Sequence, residues 1–258
     1  MTEVFVQDFI KGLLIFLRIA AVMFTAPVFG NKSIPRMAIL LLSLVFTYMI
    51  FFITDTYHFN LDEGLLELAI VAVKETITGM IIGYSVNFIF QALSYAGMLI
   101  GFDMGISMSQ AFDINSDSYT NNIGQLFITS ALIIFLLING HHYVIRALAF
   151  SFKVVPIGFY SINEEVYKIL LRYSGSVFVL AVKIAAPIMI SFFLIHISAG
   201  IVARVSPQMN VFFVIHPLKI GLGFLLLFFF IPTFIYFMAS LLKGFEHKLF
   251  YLVKAMNG

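Results

Sequence analysis

Cysteine is absent from this chain, and charge is scarce. Without a thiol there is no disulfide, no thiolate metal site and no cysteine nucleophile, although this does not fix a compartment. Asp, Glu, Lys and Arg make up 11% of the 258 residues, against about a quarter in soluble domains. Hydrophobic residues reach 61% and the mean hydropathy is +1.03. A water-soluble fold of this size could not hide so much apolar surface, and lipid is the solvent that accepts it.

Other absences narrow the function. The net charge is only +2 and no basic stretch has aromatics interleaved along it, so no nucleic-acid partner is indicated. No phosphate-binding glycine-lysine loop, zinc-helix motif or serine elbow is present. His141 and His142 are adjacent, a poor geometry for joint metal ligation, and the other histidines are isolated. Neither enzyme, cofactor nor metal site is expected. The first residues carry Glu3 and Asp8 where a secretory signal would be basic, so the first apolar segment is expected to be retained. No Pro/Gly/Ser-rich linker divides the chain, which reads as a single membrane domain over residues 1–258.

What is there is helical. Six apolar stretches, Phe9–Phe29, Met37–Ile53, Leu65–Ile100, Leu126–Phe150, Leu170–Val202 and Val211–Leu242, exceed or approach the ~20 residues that span a bilayer. Turn signals separate them at Pro27–Pro35, Asp55–Glu63, Asn115–Asn122, Ser151–Tyr173 and Pro207–Pro217. Tyr57, Tyr160, Tyr167, Tyr173 and Tyr251 lie near the ends, where amphipathic rings favour headgroups. With six crossings, Lys153, Lys168, Arg172, Lys243, Lys248 and Lys254 fall on one side, which puts both termini in the cytoplasm. The fold class is all-α: a polytopic membrane protein with long broken or tilted helices and helical hairpins.

The third stretch carries a pattern. Thr76, Gly79, Gly83, Asn87, Gln91, Ser94, Gly97, Gly101 and Gly105 are all small or polar and recur on average every ~3.6 residues, the α-helical period. Such a face lets helix backbones approach closely. It suits either one packed neighbour or the wall of a multi-subunit or partly wet lumen. At a 1.5 Å rise it runs about 44 Å, against an apolar bilayer core of about 30 Å. The helix must therefore break, tilt steeply or leave the core. Arg18, Glu75 and Lys183 are charges within apolar stretches, costly unless paired or facing water. Lys74 suits snorkelling. Adjacent Lys74 and Glu75 point about 100° apart, so their partners are expected elsewhere.

Four segments stand out: Arg18-Ile-Ala-Ala with Ala26-Pro-Val-Phe-Gly30 and Ile34-Pro35; Glu75, Gly79 and Gly83 running to Gly97 and Gly101-Phe-Asp-Met-Gly105; Phe135 and Asn139-Gly-His141 with Ser151-Phe and Pro156-Ile-Gly158; and Ala186-Pro187, Gly200, Arg204 and Pro207-Gln-Met-Asn210-Val-Phe212. Together, in this order and spacing, they resemble the FliR-type flagellar biosynthesis and type III secretion export-gate family along nearly the whole chain. The resemblance implies a subunit of a hetero-oligomeric gate ring with FliP-type and FliQ-type proteins. It also implies contacts to FlhB-type and FlhA-type components and passage of unfolded flagellar substrates across the bacterial inner membrane, at the flagellar basal body.

It further implies a plug in the loop Gly101–Asn122. Met108, Ala111, Phe112 and Asp113 match the plug tip, and Met104 and Ile106 add apolar side chains. The chain departs from the family in having Met108 and Ala111 where aromatics are common, and Ile114 where a proline follows the aspartate. Arg204, Pro207, Gln208 and Asn210 form a candidate hairpin or subunit contact, the amides able to satisfy backbone groups freed at the proline. A secondary transporter or small-solute channel, an injectisome homologue and a purely structural assembly chain are the alternatives.

Overall fold

The computed structural model describes residues 2–31, 34–54, 64–106, 122–159, 163–208 and 210–256. Among them are seven helices: α1 Thr2–Thr25, α2 Arg36–Phe51, α3 Gly64–Asp103, α4 Asn122–Leu137, α5 Gly140–Val154, α6 Glu164–Val205 and α7 Val211–Ala255. The chain is an all-α polytopic membrane protein. Two described helices, α6 and α7, are long and apolar enough to cross a membrane, and a third span arises if α4 and α5 count as one broken crossing. That is fewer than the six stretches suggested: α2, with 16 residues, is too short, and the fourth stretch is interrupted.

The interruption has a local cause. Asn139 takes the left-handed conformation, φ 59° and ψ 30°, which Asn tolerates better than most side chains. Gly140 then lies against the Phe135 ring, where a Cβ would overlap it. The third stretch, by contrast, is one helix of 40 residues. The loop expected over Ser151–Tyr173 is shorter than its sequence suggested, since α6 starts at Glu164. Asn163 explains that start: its Oδ1 accepts the Val166 N–H at 2.8 Å, and Glu164 and Glu165 follow in the first turn.

The described residues form two compact units. One comprises residues 1–88, 135–173 and 242–258, the other 89–134 and 174–241. In the first, α2 packs on α1 through the narrow face Ile39, Ser43, Thr47 and Ile50. The two hydroxyls on that face bond back to Ile39 O and Ser43 O, so their burial leaves no unmet donor. Lys11 closes the hairpin: its Nζ donates to Phe51 O at 3.0 Å and Thr54 O at 2.8 Å, near the α2 C-terminus where a cation is favoured. In the same unit Asn163 Nδ2 donates to Ala255 O, so one side chain caps α6 and holds the end of α7. Asn163→Ala should lower stability by about 1 kcal/mol. Asn163→Asp, which keeps the cap but loses the donor, should lower it less; thermal melts in one detergent compare them.

In the second unit, Phe127 stacks on Phe234 at 4.5 Å and Tyr95 on Phe178 at 5.7 Å between centroids. Pro187 in α6 and Pro217 and Pro232 in α7 lie within helices. Each removes one backbone donor, a defect that membrane helices tolerate where neighbours or hydroxyls answer it.

Candidate functional site

Two of the charges within the apolar stretches meet in the first unit. Arg18 of α1 and Glu75 of α3 are both fully buried and form a two-pronged ion pair, Nε to Oε2 at 2.6 Å and Nη2 to Oε1 at 3.0 Å. The guanidinium also donates from Nη1 to Ser151 O at 3.2 Å and Val155 O at 3.0 Å, and lies 4.3 Å from the Phe152 ring centroid. Glu75 Oε1 accepts the Gly158 N–H at 2.9 Å. One cation and one anion thus bind three pieces of chain, α1, α3 and the turn after α5. The fork geometry is why this is arginine, since a lysine could not serve four oxygens in a plane. A buried pair of this kind holds its partners in one arrangement, and losing either member strands the other charge.

Glu75 thus finds its partner on another helix of the same chain. Lys183 is different. It is exposed on α6, and none of the ion pairs among the described residues includes it.

Four glycines of the small-residue stripe lie close against neighbouring segments. Gly79 and Gly83, in the first unit, lie on α1: a Cβ at Gly79 would overlap the Arg18 carbonyl oxygen, and one at Gly83 the Thr25 side chain. Gly97, in the second unit, meets the backbone of Ile123 and Gly124 at the start of α4. Gly105, with φ +81°, lies under the His216 ring. Gly101 is buried as well. The polar members Thr76, Asn87, Gln91 and Ser94 are half-buried, and the Thr76 hydroxyl returns to Ala72 O.

Of the residues assigned to a plug, two are described. Met104 is fully buried, its side chain against Gly223. Ile106 helps line an apolar cavity of about 480 Å3 with Asn122, Ile123, Phe224 and Phe228. Met108, Ala111, Phe112 and Asp113 lie outside the described residues.

Arg204, Pro207, Gln208 and Asn210 are all exposed at the α6–α7 turn. There the Asn210 main-chain carbonyl accepts the Phe213 N–H at 3.1 Å. Beside that turn, Leu194, Ala199, Val202, Val211 and Leu218 line an apolar groove of about 310 Å3.

Sequence reasoning missed the contacts that Lys11, Ser151 and Asn163 make. Asn163 before two glutamates was readable as a cap. Lys11 and Ser151 act through contacts with distant residues, and no local signal marks them.

A family described as bacterial export proteins, family 1, matches residues 9–245. The chain is 32% identical to the flagellar biosynthetic protein FliR of Bacillus subtilis over 219 residues, 83% of each chain. It is 30% identical to the protein of that name from Buchnera aphidicola, over 88% of this chain and 87% of the relative. For the one from Aquifex aeolicus the identity is 28% over 100% of this chain and 99% of the relative.

Proposed function

Because this chain belongs to family 1 of the bacterial export proteins, the family of the FliR flagellar biosynthetic proteins, we propose that it is a non-enzymatic subunit of the flagellar protein export gate. It is a membrane-embedded flagellar protein, and we place it in the bacterial inner membrane at the basal body. The observation that carries this reading is the family match over residues 9–245, which includes the glycine stripe, the Arg18–Glu75 pair and the α6–α7 turn.

In this reading the chain joins FliP-type and FliQ-type proteins in a helical ring, meets FlhB-type and FlhA-type components, and lines the path of unfolded flagellar substrates. Two features support assembly. The α6 and α7 helices expose large apolar side chains, among them Phe178, Phe193, Phe224, Phe228 and Phe229, a surface suited to partner helices or lipid. Lys183 is a charge that a partner can answer. The segment between α3 and α4 is then the plug, shorter at its start than the expected Gly101–Asn122 because α3 runs to Asp103, with Met108, Ala111, Phe112 and Asp113 at its tip. Buried Met104 anchors its α3 end, and soft Met and Phe side chains can seal by dewetting and yield to a passing chain.

Coexpression with FliP-type and FliQ-type proteins should give one complex of defined stoichiometry. Solute uptake by the purified chain alone would overturn the assignment in favour of a transporter. Deleting Gln110–Asp117 should leave the complex assembled and make the membrane leak small ions, read as conductance in planar bilayers. A tight membrane rejects the plug.

A further inference from the structure

The first unit gathers cations that the sequence scatters. Residues 140–173 and 242–258 hold Arg146, Lys153, Lys168, Arg172, Lys243, Lys248 and Lys254 against Glu164, Glu165 and Glu246. The fold draws these segments together. Asn163 bonds Ala255 O, Tyr173 Oη bonds Lys248 O at 3.1 Å, and Tyr251 Oη bonds Glu165 Oε1 at 3.0 Å, which pairs the start of α6 with the end of α7. The Arg146–Glu246 pair at 3.8 Å and the Phe150–Phe250 contact at 5.4 Å lay α5 beside the same end.

All three carboxylates are engaged: Glu164 with Lys168 at 2.7 Å, Glu246 with Arg146, and Glu165 with the Tyr251 hydroxyl. Lys153, Arg172, Lys243, Lys248 and Lys254 remain, all exposed and none in an ion pair among the described residues. On α7 these cations lie within about three helical turns. Exposed Tyr167, Leu171 and Tyr251 sit among them.

We propose that this collar binds the phosphate headgroups of anionic phospholipids and seats this end of the α5, α6 and α7 helices at an anionic membrane surface. Cations beside amphipathic rings at the end of long apolar helices are what a headgroup layer accepts. An acidic protein would recognise the charge but gives no reason for the interleaved tyrosines and leucine. The inference rests on the chain being membrane-embedded and not on its part in export, so failed export assembly leaves it standing.

The test uses the full chain in nanodiscs of phosphatidylcholine alone or mixed with phosphatidylglycerol, with retained lipids counted by native mass spectrometry. Phosphatidylglycerol should be retained in preference, by up to about fivefold for each cation in contact, and added salt should erode the preference. The variant K153Q/R172Q/K243Q/K248Q/K254Q should lose it while keeping its helicity and its melting temperature in phosphatidylcholine. If that variant does not fold, K153Q/K248Q/K254Q is read in its place and should lose most of the preference. Equal retention of both lipids by the unaltered chain, or an undiminished preference in a folded variant, overturns the proposal. So does displacement of the lipid by inorganic phosphate, which would make this a phosphate site.

Discussion

Replacing Glu75 with alanine should destabilise the chain by about 3–5 kcal/mol, the largest single effect expected anywhere in the first unit. The substitution leaves the Arg18 guanidinium fully buried with its hydrogen bonds to Ser151 O and Val155 O but no counter-charge. It also leaves the Gly158 N–H without its acceptor. Glu75→Gln keeps an oxygen in place and should fall between alanine and the parent. The double variant Arg18→Met/Glu75→Leu separates charge from shape: a buried pair replaced by apolar side chains is often neutral. Here recovery should be partial, since Val155 O and Gly158 N–H lose partners that no apolar side chain supplies. Thermal unfolding in one detergent ranks the four proteins. If Glu75→Ala melts with the parent, the pair does not hold the junction of α1, α3 and the turn after α5.

The second large effect is expected at Gly97. A Cβ there would overlap main-chain atoms of Gly124 and Ile123, and backbone in a helix cannot swing aside as a side chain can. Gly97→Ala should cost at least the ~1–3 kcal/mol typical of overpacking. Gly175 and Gly221 provide the control, because a Cβ at either meets nothing within 4 Å. Alanine at those positions should stabilise the isolated chain, by up to about 1 kcal/mol, through helix propensity alone. Opposite signs at Gly97 and Gly175 would establish close helix approach as the reason for the stripe. A common loss at all three sites would instead point to a backbone need for glycine itself. Gly83 should be milder than Gly97, since its nearest obstruction is the Thr25 side chain.

Composition and periodicity by themselves determined that this chain is an all-helical membrane protein. With 61% hydrophobic residues and few charges, the backbone must satisfy its own hydrogen bonds, and a helix does so locally. The stripe from Thr76 to Gly105 was legible because helical period is a local property, and so was the likeness to the export-gate family. The tertiary structure decided what each of these faces. Glu75 beside Lys74 gave no hint that its partner was Arg18, 57 residues away, because long-range pairing leaves no periodic trace. The stripe could not say which neighbour it served; the fold divides it between α1 at Gly79 and Gly83 and α4 at Gly97. The break at Asn139 was hidden in an apolar run because a single left-handed residue barely changes composition. Local chemistry thus fixed the helices and their solvent, whereas the ion pair, the close glycine contacts and the gathered cations depend on which helices meet.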